Sequence, residues 1–444
     1  MNSEVSFKSS GIYDLTYNVQ KNTLLNRGIL EIGGIAIPHA AMANNKDEAL
    51  ERAGLSGLFF SLSFLTPLVL LPAFNKFFLK RSGLVKDFKG VEKRILDVSK
   101  KYLNSDAVKM TEGIKATAKD LDAKHSSTLH TEAFNKILDR FGDKEELRQK
   151  LLKVHKNVYT SDFLSTQWML GVSPWLCMEF TERRTHKKGF SAAFELKENK
   201  TDDKQYQAAK HKKMLANAIV ATLPALIAPR IVMKAIGQNH KMLLESANIF
   251  KKNYGKFLNN IKKRADWFDY TNAIYMSKPI FALMWLLSDY PNCLICARDK
   301  HEVKDKAIRM GMMNVMFFGG DFLISNVLGR LSDKFAGTNV MHSKTAGGNE
   351  AKSFWKRFAL PMKNLKELSG ADVSKRTKTA GALLYWSSLL INMALIGISL
   401  PAVLNRILRS DISKEKQQEA LKLKQSTSPY EVSSGVFKDF KFNI

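Results

Sequence analysis

Between Thr379 and Asn405 the chain runs 27 residues without a charge, bounded by Lys378 and Arg406. A helix needs roughly 20 apolar residues to cross a bilayer, so this run is long enough to span one with tilt. Tyr385 and Trp386 lie near its basic end, where aromatic side chains settle at a membrane interface. Few soluble folds tolerate such a stretch outside a core. The run therefore predicts a helical membrane protein before any other residue is considered.

The rest of the chain fits that expectation unevenly. Ala53 to Asn75 gives a second uncharged stretch of 23 residues, with Pro67 and Pro72 expected to kink it near its far end. Four weaker runs cover 163–178, 214–237, 270–288 and 311–329; each carries proline, glycine or an internal charge. Together they predict an all-α, polytopic fold with about six apolar helices, some broken or re-entrant. Residues 1–27 read as a flexible arm, within an N-terminal region 1–52. The segment 28–44, with Glu31, Pro38 and His39, is too short and too polar to span and reads as interfacial or re-entrant. Residues 76–162 read as a basic soluble helical insert: Phe88, Val91, Ile95, Val98 and Tyr102 recur at helical spacing, as do Leu147, Leu151, Val154 and Val158. Residues 163–405 form the membrane region with basic loops, and 406–444 an amphipathic helix with a disordered tail.

Charge decides which partners to expect. The formal net charge is +27, with 69 Lys and Arg against 42 Asp and Glu. The basic residues flank the apolar runs, so the partners predicted are the bilayer and its anionic lipid head groups. No nucleic-acid recognition motif accompanies the charge, and nucleic acid is disfavoured. The blocks 179–213, 230–269, 289–310 and 330–378 carry 10, 9, 5 and 11 Lys plus Arg. The positive-inside rule would keep all four in the cytoplasm, which strict alternation of spans forbids. Re-entrant runs resolve the conflict, with the N-terminus outside and the insert inside. Three cysteines exclude a disulfide framework.

Candidate chemistry is sparse. Cys293 and Cys296 form a C-x-x-C pair, with His301 five residues on; such thiols bind a metal or cycle as a disulfide, but a zinc site needs four ligands. Asp321, preceded by Gly319 and Gly320, is a carboxylate inside an apolar run, and Lys278 is its candidate counter-ion. Glu31 and His39, eight residues apart, are expected about two turns apart, without a direct pair. The segment Gly329-Arg-Leu-Ser-Asp333-Lys334-Phe-Ala-Gly337 resembles the loop motif of major facilitator transporters over nine residues. The second glycine is displaced by Ala336 and the trailing basic pair is missing, so the segment reads as a helix-to-loop exit. The resemblance would place Asp333 and Lys334 on the cytoplasmic face. No phosphate-binding loop, metalloprotease helix or hydrolase nucleophile elbow is present, and no cofactor is implied. The expectation is an integral membrane protein without catalysis of its own, a carrier or a scaffold. The alternative is a membrane-embedded enzyme acting on lipid or thiol substrates through Asp321 or Cys293/Cys296.

Overall fold

A computed structural model describes residues 11–21, 23–62, 66–84, 92–125, 128–185, 203–265, 282–343, 353, 358 and 360–426. The described chain is nearly all helical, 85% helix without a strand, so the all-α expectation holds. In order the helices are α1 Gly11–Lys21, α2 Thr23–Gly28, α3 Ile37–Ala41, α4 Lys46–Phe60, α5 Thr66–Arg81, α6 Glu92–Lys100, α7 Ala107–His125, α8 Leu129–Arg140, α9 Lys144–Thr185, α10 Asp203–Gly237, α11 Lys241–Leu244, α12 Ile249–Lys263, α13 Tyr290–Ile295, α14 Lys300–Val315, α15 Asp321–Ala336, α16 Lys375–Ala394 and α17 Leu400–Ser426. π-helical turns interrupt this series at Ile29–Ala36, Trp285–Asp289, Met316–Gly320 and Leu395–Ser399, and residues 61–62 after α4 are also π-helical.

Local sequence explains the helix ends. Asn45 opens α4 by accepting from the Glu48 amide at 2.8 Å, while the Glu48 carboxylate reaches back to the Asn44 amide at 2.6 Å. This is a reciprocal cap of the kind that satisfies orphan donors in a first turn. Asp299 opens α14 in the same way, accepting from the amides of His301 and Glu302. At the end of α15 the chain turns through Gly337 at φ +58°, where a side chain would be strained. Asp333 accepts from the amides of Val340 and Met341 at 2.8 and 3.0 Å and fixes that exit.

The central support is the antiparallel hairpin of α9 and α10. Arg148 donates to the Gly237 carbonyl at one end, Asn217 to the Gly171 carbonyl in the middle, and Lys210 pairs with Glu182 at the other. α9 has 42 residues and so measures about 63 Å. One apolar core joins its first half to α6–α8 and the end of α10, through Phe134, Val154, Tyr159, Phe163 and Val232. A second, smaller core gathers Ile35, Phe59, Leu170, Trp285, Met310 and Ile396.

The spans do not all fall where the sequence placed them. Two helices are long and apolar enough to cross a membrane: Lys204–Gly237, and Lys375–Lys422, which contains the 379–405 run. Only 39% of the apolar window of each is buried, whereas a core helix of a soluble protein is mostly buried. Of Ala53–Asn75, expected as one span, the described residues lie in α4, the two π-helical residues after it and α5, and 63–65 lie outside the described residues. The run 163–178 continues α9 without a break, so the boundary drawn at residue 162 falls inside a helix. The run 311–329 is shared by α14, a π turn and α15, and 270–288 lies outside the described residues up to 281. The N-terminal arm is also ordered beyond residue 10. α1 packs on α16, where Trp386 donates to Thr16 Oγ1 at 2.8 Å and Tyr13 donates to the Leu365 carbonyl at 2.5 Å.

Candidate functional site

The outer faces of these helices are apolar. On α10, Leu215, Ile219, Leu223 and Ile227 repeat every four residues, each about half exposed. Leu383, Leu390 and Ile398 of the C-terminal long helix are half exposed at spacings of seven and eight, and Leu323, Val327 and Leu331 on α15 repeat every four residues. Inside, by contrast, lies a cavity of ≈ 100 Å³ with charged walls.

Four segments build the cavity: the π turn 29–36 with α3, α4, the π turn 285–289 with α13, and α14. Six carboxyl groups line it, from Glu31, Glu48, Glu51, Asp289, Glu302 and Asp305, against three cations, Arg52, Lys306 and Arg309. A fourth cation, Arg298, stands behind them and ties α4 to α14. Its guanidinium forks onto Glu51 at 2.7 and 3.2 Å and onto Glu302 at 2.8 and 3.0 Å. Lys306 reaches Glu302 at 2.8 Å, Arg309 reaches Asp305 at 2.6 Å, and Arg52 pairs with Glu48. Burial would raise the Glu302 carboxyl, but Lys306 and Arg298 outweigh it and hold the group below the usual carboxylate range.

Carboxyl groups thus outnumber the cations around the cavity, six against four counting Arg298. Asp289 stands toward its apolar end, beside Trp285 and Met310, with Glu31 on the facing π turn. Asp289 is 1% exposed; its Oδ1 faces the Cys293 thiol at 3.9 Å and its Oδ2 has no hydrogen-bond partner. A buried acceptor without a donor is costly, so Asp289 Oδ2, like Arg309 Nη1 in the same wall, is a polar atom open to a ligand, water or proton. Phe59 and Trp285 close the same end with rings 5.8 Å apart.

The π turns create this geometry. A π turn bonds i to i+5 and widens the helix, re-aiming the side chains beyond it. Glu31 and His39 thereby line one cavity although eight residues separate them. They do not pair: His39 Nε2 donates to the Ile396 carbonyl at 3.0 Å. That carbonyl belongs to the π turn 395–399, which approaches the first π turn at glycines. A Cβ on Gly397 would meet the Gly34 carbonyl oxygen at 2.1 Å, so the two backbones touch.

The residues singled out from sequence have separate fates. Asp321 is not in the cavity; it accepts from Ser388 at 2.9 Å and ties α15 to α16, with Ser325 donating to Ser388 at 3.0 Å. Lys278 lies outside the described residues. Cys293 and Cys296 are buried free thiols, and Asn217 faces Cys296 Sγ at 3.6 Å. His301 turns away from them to Glu415 on α17 at 2.8 Å. Among the described residues no three His, Cys, Asp or Glu side chains are placed to hold a metal ion.

Sequence reasoning missed the charged walls. The signal was present at the start of α14, where Arg298, just before the helix, and Glu302 and Lys306 within it fall four apart, as do Asp305 and Arg309. That spacing sets charges side by side on a helix that runs straight into an apolar stretch. No family model matches this chain, and no curated protein or solved structure matches it either.

Proposed function

We propose that the chain is a multi-pass helical membrane protein acting as a carrier, with the acidic cavity between α4, α14 and the two π turns as its internal binding point. One observation supports this reading above the others: a buried, ion-paired cavity in a chain whose long helices α10 and α16–α17 carry exposed apolar faces. Ionisable groups are expensive inside a membrane and are retained where a substrate or a proton must pass. Interrupted helices around an internal site are a recurrent carrier architecture. In this reading Arg298 and Glu302 hold α4 and α14 in register, and Asp289 exchanges a proton for a small cation. Carboxyl groups outnumber cations in the wall, which favours a cationic cargo. The basic loops face anionic lipid head groups. The scaffold reading would need the loops alone. It offers no role for a cavity with an unsatisfied carboxyl oxygen. For a membrane enzyme, the thiols are buried and Asp321 is occupied by a helix-to-helix bond.

The test is proton flux in liposomes loaded with a pH-sensitive dye. Addition of sodium, potassium or choline to one side is expected to drive a pH change with the native protein. Asp289→Asn is expected to abolish it while leaving detergent-state thermal stability within about 1 kcal/mol, since the carboxyl has little to lose in partners. Equal flux from both proteins, or none from the native protein with any of the three cations, rejects the carrier.

A further inference from the structure

We propose that α12 is a docking face for anionic lipid, lying flat in the interface where α10 leaves the apolar layer. This rests on the membrane reading but not on the cavity. One side of α12 is spoken for: Gly255, Leu258 and Ile261 are buried against α11 and the end of α10. Gly255 is required there, because a Cβ would meet Leu243 Cβ at 2.7 Å. The other side is apolar yet uncovered. Phe250 is 82% exposed, Ile249 65% and Phe257 50%. Such large aromatic surface is rarely left to water on a helix that already has a packed face.

Charge selects the occupant. α12 holds five lysines (Lys251, Lys252, Lys256, Lys262 and Lys263) and no acidic residue. Lys262 is used internally, donating to the Gln238 carbonyl at 3.1 Å, and Lys234 of α10 lies over the Tyr254 ring at 5.4 Å. The remaining lysines flank the exposed aromatics. A helix with an apolar strip edged by lysine, and low net hydrophobicity, binds at a headgroup boundary. A second copy is disfavoured as occupant, because it would present the same basic face within a chain of net charge +27. Position agrees with this. The exposed stripe of α10 ends at Ile227, and beyond Arg230 the residues Val232, Ala235 and Ile236 turn into the core of the insert. α12 packs on that end, at the level where an interfacial helix belongs.

The experiment uses the full chain with its three buried cysteines replaced by alanine and one cysteine added at position 250, labelled with an environment-sensitive nitrobenzoxadiazole dye. The same label at position 135, exposed on α8, is the reference. Both proteins are placed in nanodiscs of phosphatidylcholine, with and without phosphatidylserine. The expected result is a blue-shifted label at 250, quenched by spin-labelled acyl chains, in discs containing phosphatidylserine. Reversing Lys251, Lys252 and Lys256 to glutamate is expected to remove the shift. A label at 250 that behaves like the label at 135 in both disc types overturns the proposal. So does equal quenching with and without phosphatidylserine, or burial that appears only as protein concentration rises, which would mark a second copy. A chain that does not enter discs at all instead removes the membrane reading on which the proposal rests.

Discussion

The helical insert and the cavity region are built from the same kind of element and share one helix, yet they place charge in opposite directions. In the insert, Leu103, Met110, Phe134, Ile137 and Val154 fill the core, and Lys109, Glu112, Lys115, Lys119, Asp120, Glu132 and Lys136 of α7 and α8 face outward, while Asp122 turns inward to cap α8. In the cavity region, Glu48, Glu302, Asp305 and Arg309 are buried, and Leu223, Leu390 and Val327 face outward. The hydrophobic effect explains the first pattern with water as the only solvent. The second pattern pairs its buried charges with one another and leaves apolar stripes exposed, the arrangement on which the proposed membrane reading rests. α9 passes through both regimes. Val154 and Val158 lie in the insert core, and Leu170, about two turns beyond Phe163, lies in the core beside the cavity.

The sharpest way to break this comparison is to remove a buried charge. Arg298 side chains are 5% exposed and hold Glu51 and Glu302 together. Arg298→Ala leaves two buried carboxylates facing each other. The expected loss is about 3–5 kcal/mol, the usual result of breaking a buried pair from one side. Thermal unfolding in detergent checks it. A loss below about 1 kcal/mol would mean that the network behaves as a surface one, and the contrast with the insert would disappear.

The outward faces offer a second test of nearly the same size. Leu223 is 52% exposed near the middle of α10. On a soluble protein Leu223→Lys would change stability by no more than about 0.5 kcal/mol. At the centre of a bilayer it should cost about 2.5–3.5 kcal/mol. Unfolding in bicelles, or the fraction recovered in the membrane on expression, separates these values.

How much of this was readable in advance follows from what sequence encodes locally. The 379–405 run was legible because length and absence of charge suffice to make a long apolar helix. Ala53–Asn75 lies in helix at both ends, in α4 and α5, with residues 63–65 between them outside the described residues. The continuity of α9 was missed: Leu151, Val154 and Val158 were read as an insert helix and 163–178 as a new run. No glycine or proline separates them between 159 and 162, so only a change in polarity suggested a boundary. The cavity was less legible still. The i,i+4 charges of α14 were visible, but Glu51 lies 247 residues from Arg298, and nothing local announces that contact. The π turns that bring Glu31 and Asp289 to one wall have no compositional signature that was read.

The smallest expected effect tests the insert in water. Asp122 of α7 caps α8 across the turn: its carboxylate accepts from the amides of His130 and Thr131 at 3.0 and 2.7 Å, and from His130 Nδ1 at 2.7 Å. The helix's own cap residue, Thr128, makes no side-chain capping bond, so Asp122 supplies what is missing. Burial would raise its carboxyl, but the bonds from Thr131 and His130 outweigh burial and hold it well below the usual carboxylate range. A group lowered in the folded state stabilises fully above its unfolded pKa, near 3.9 for aspartate. That contribution is lost as pH falls below this value toward the lower folded one. Asp122→Ala is therefore expected to cost about 1 kcal/mol at neutral pH, and the two proteins' unfolding curves should converge as the solution is acidified below about pH 4. A gap that stays constant with pH would mean that packing, rather than the charged cap, is what Asp122 provides. In that case the insert would owe less to solvent-facing charge than the comparison with the cavity region requires.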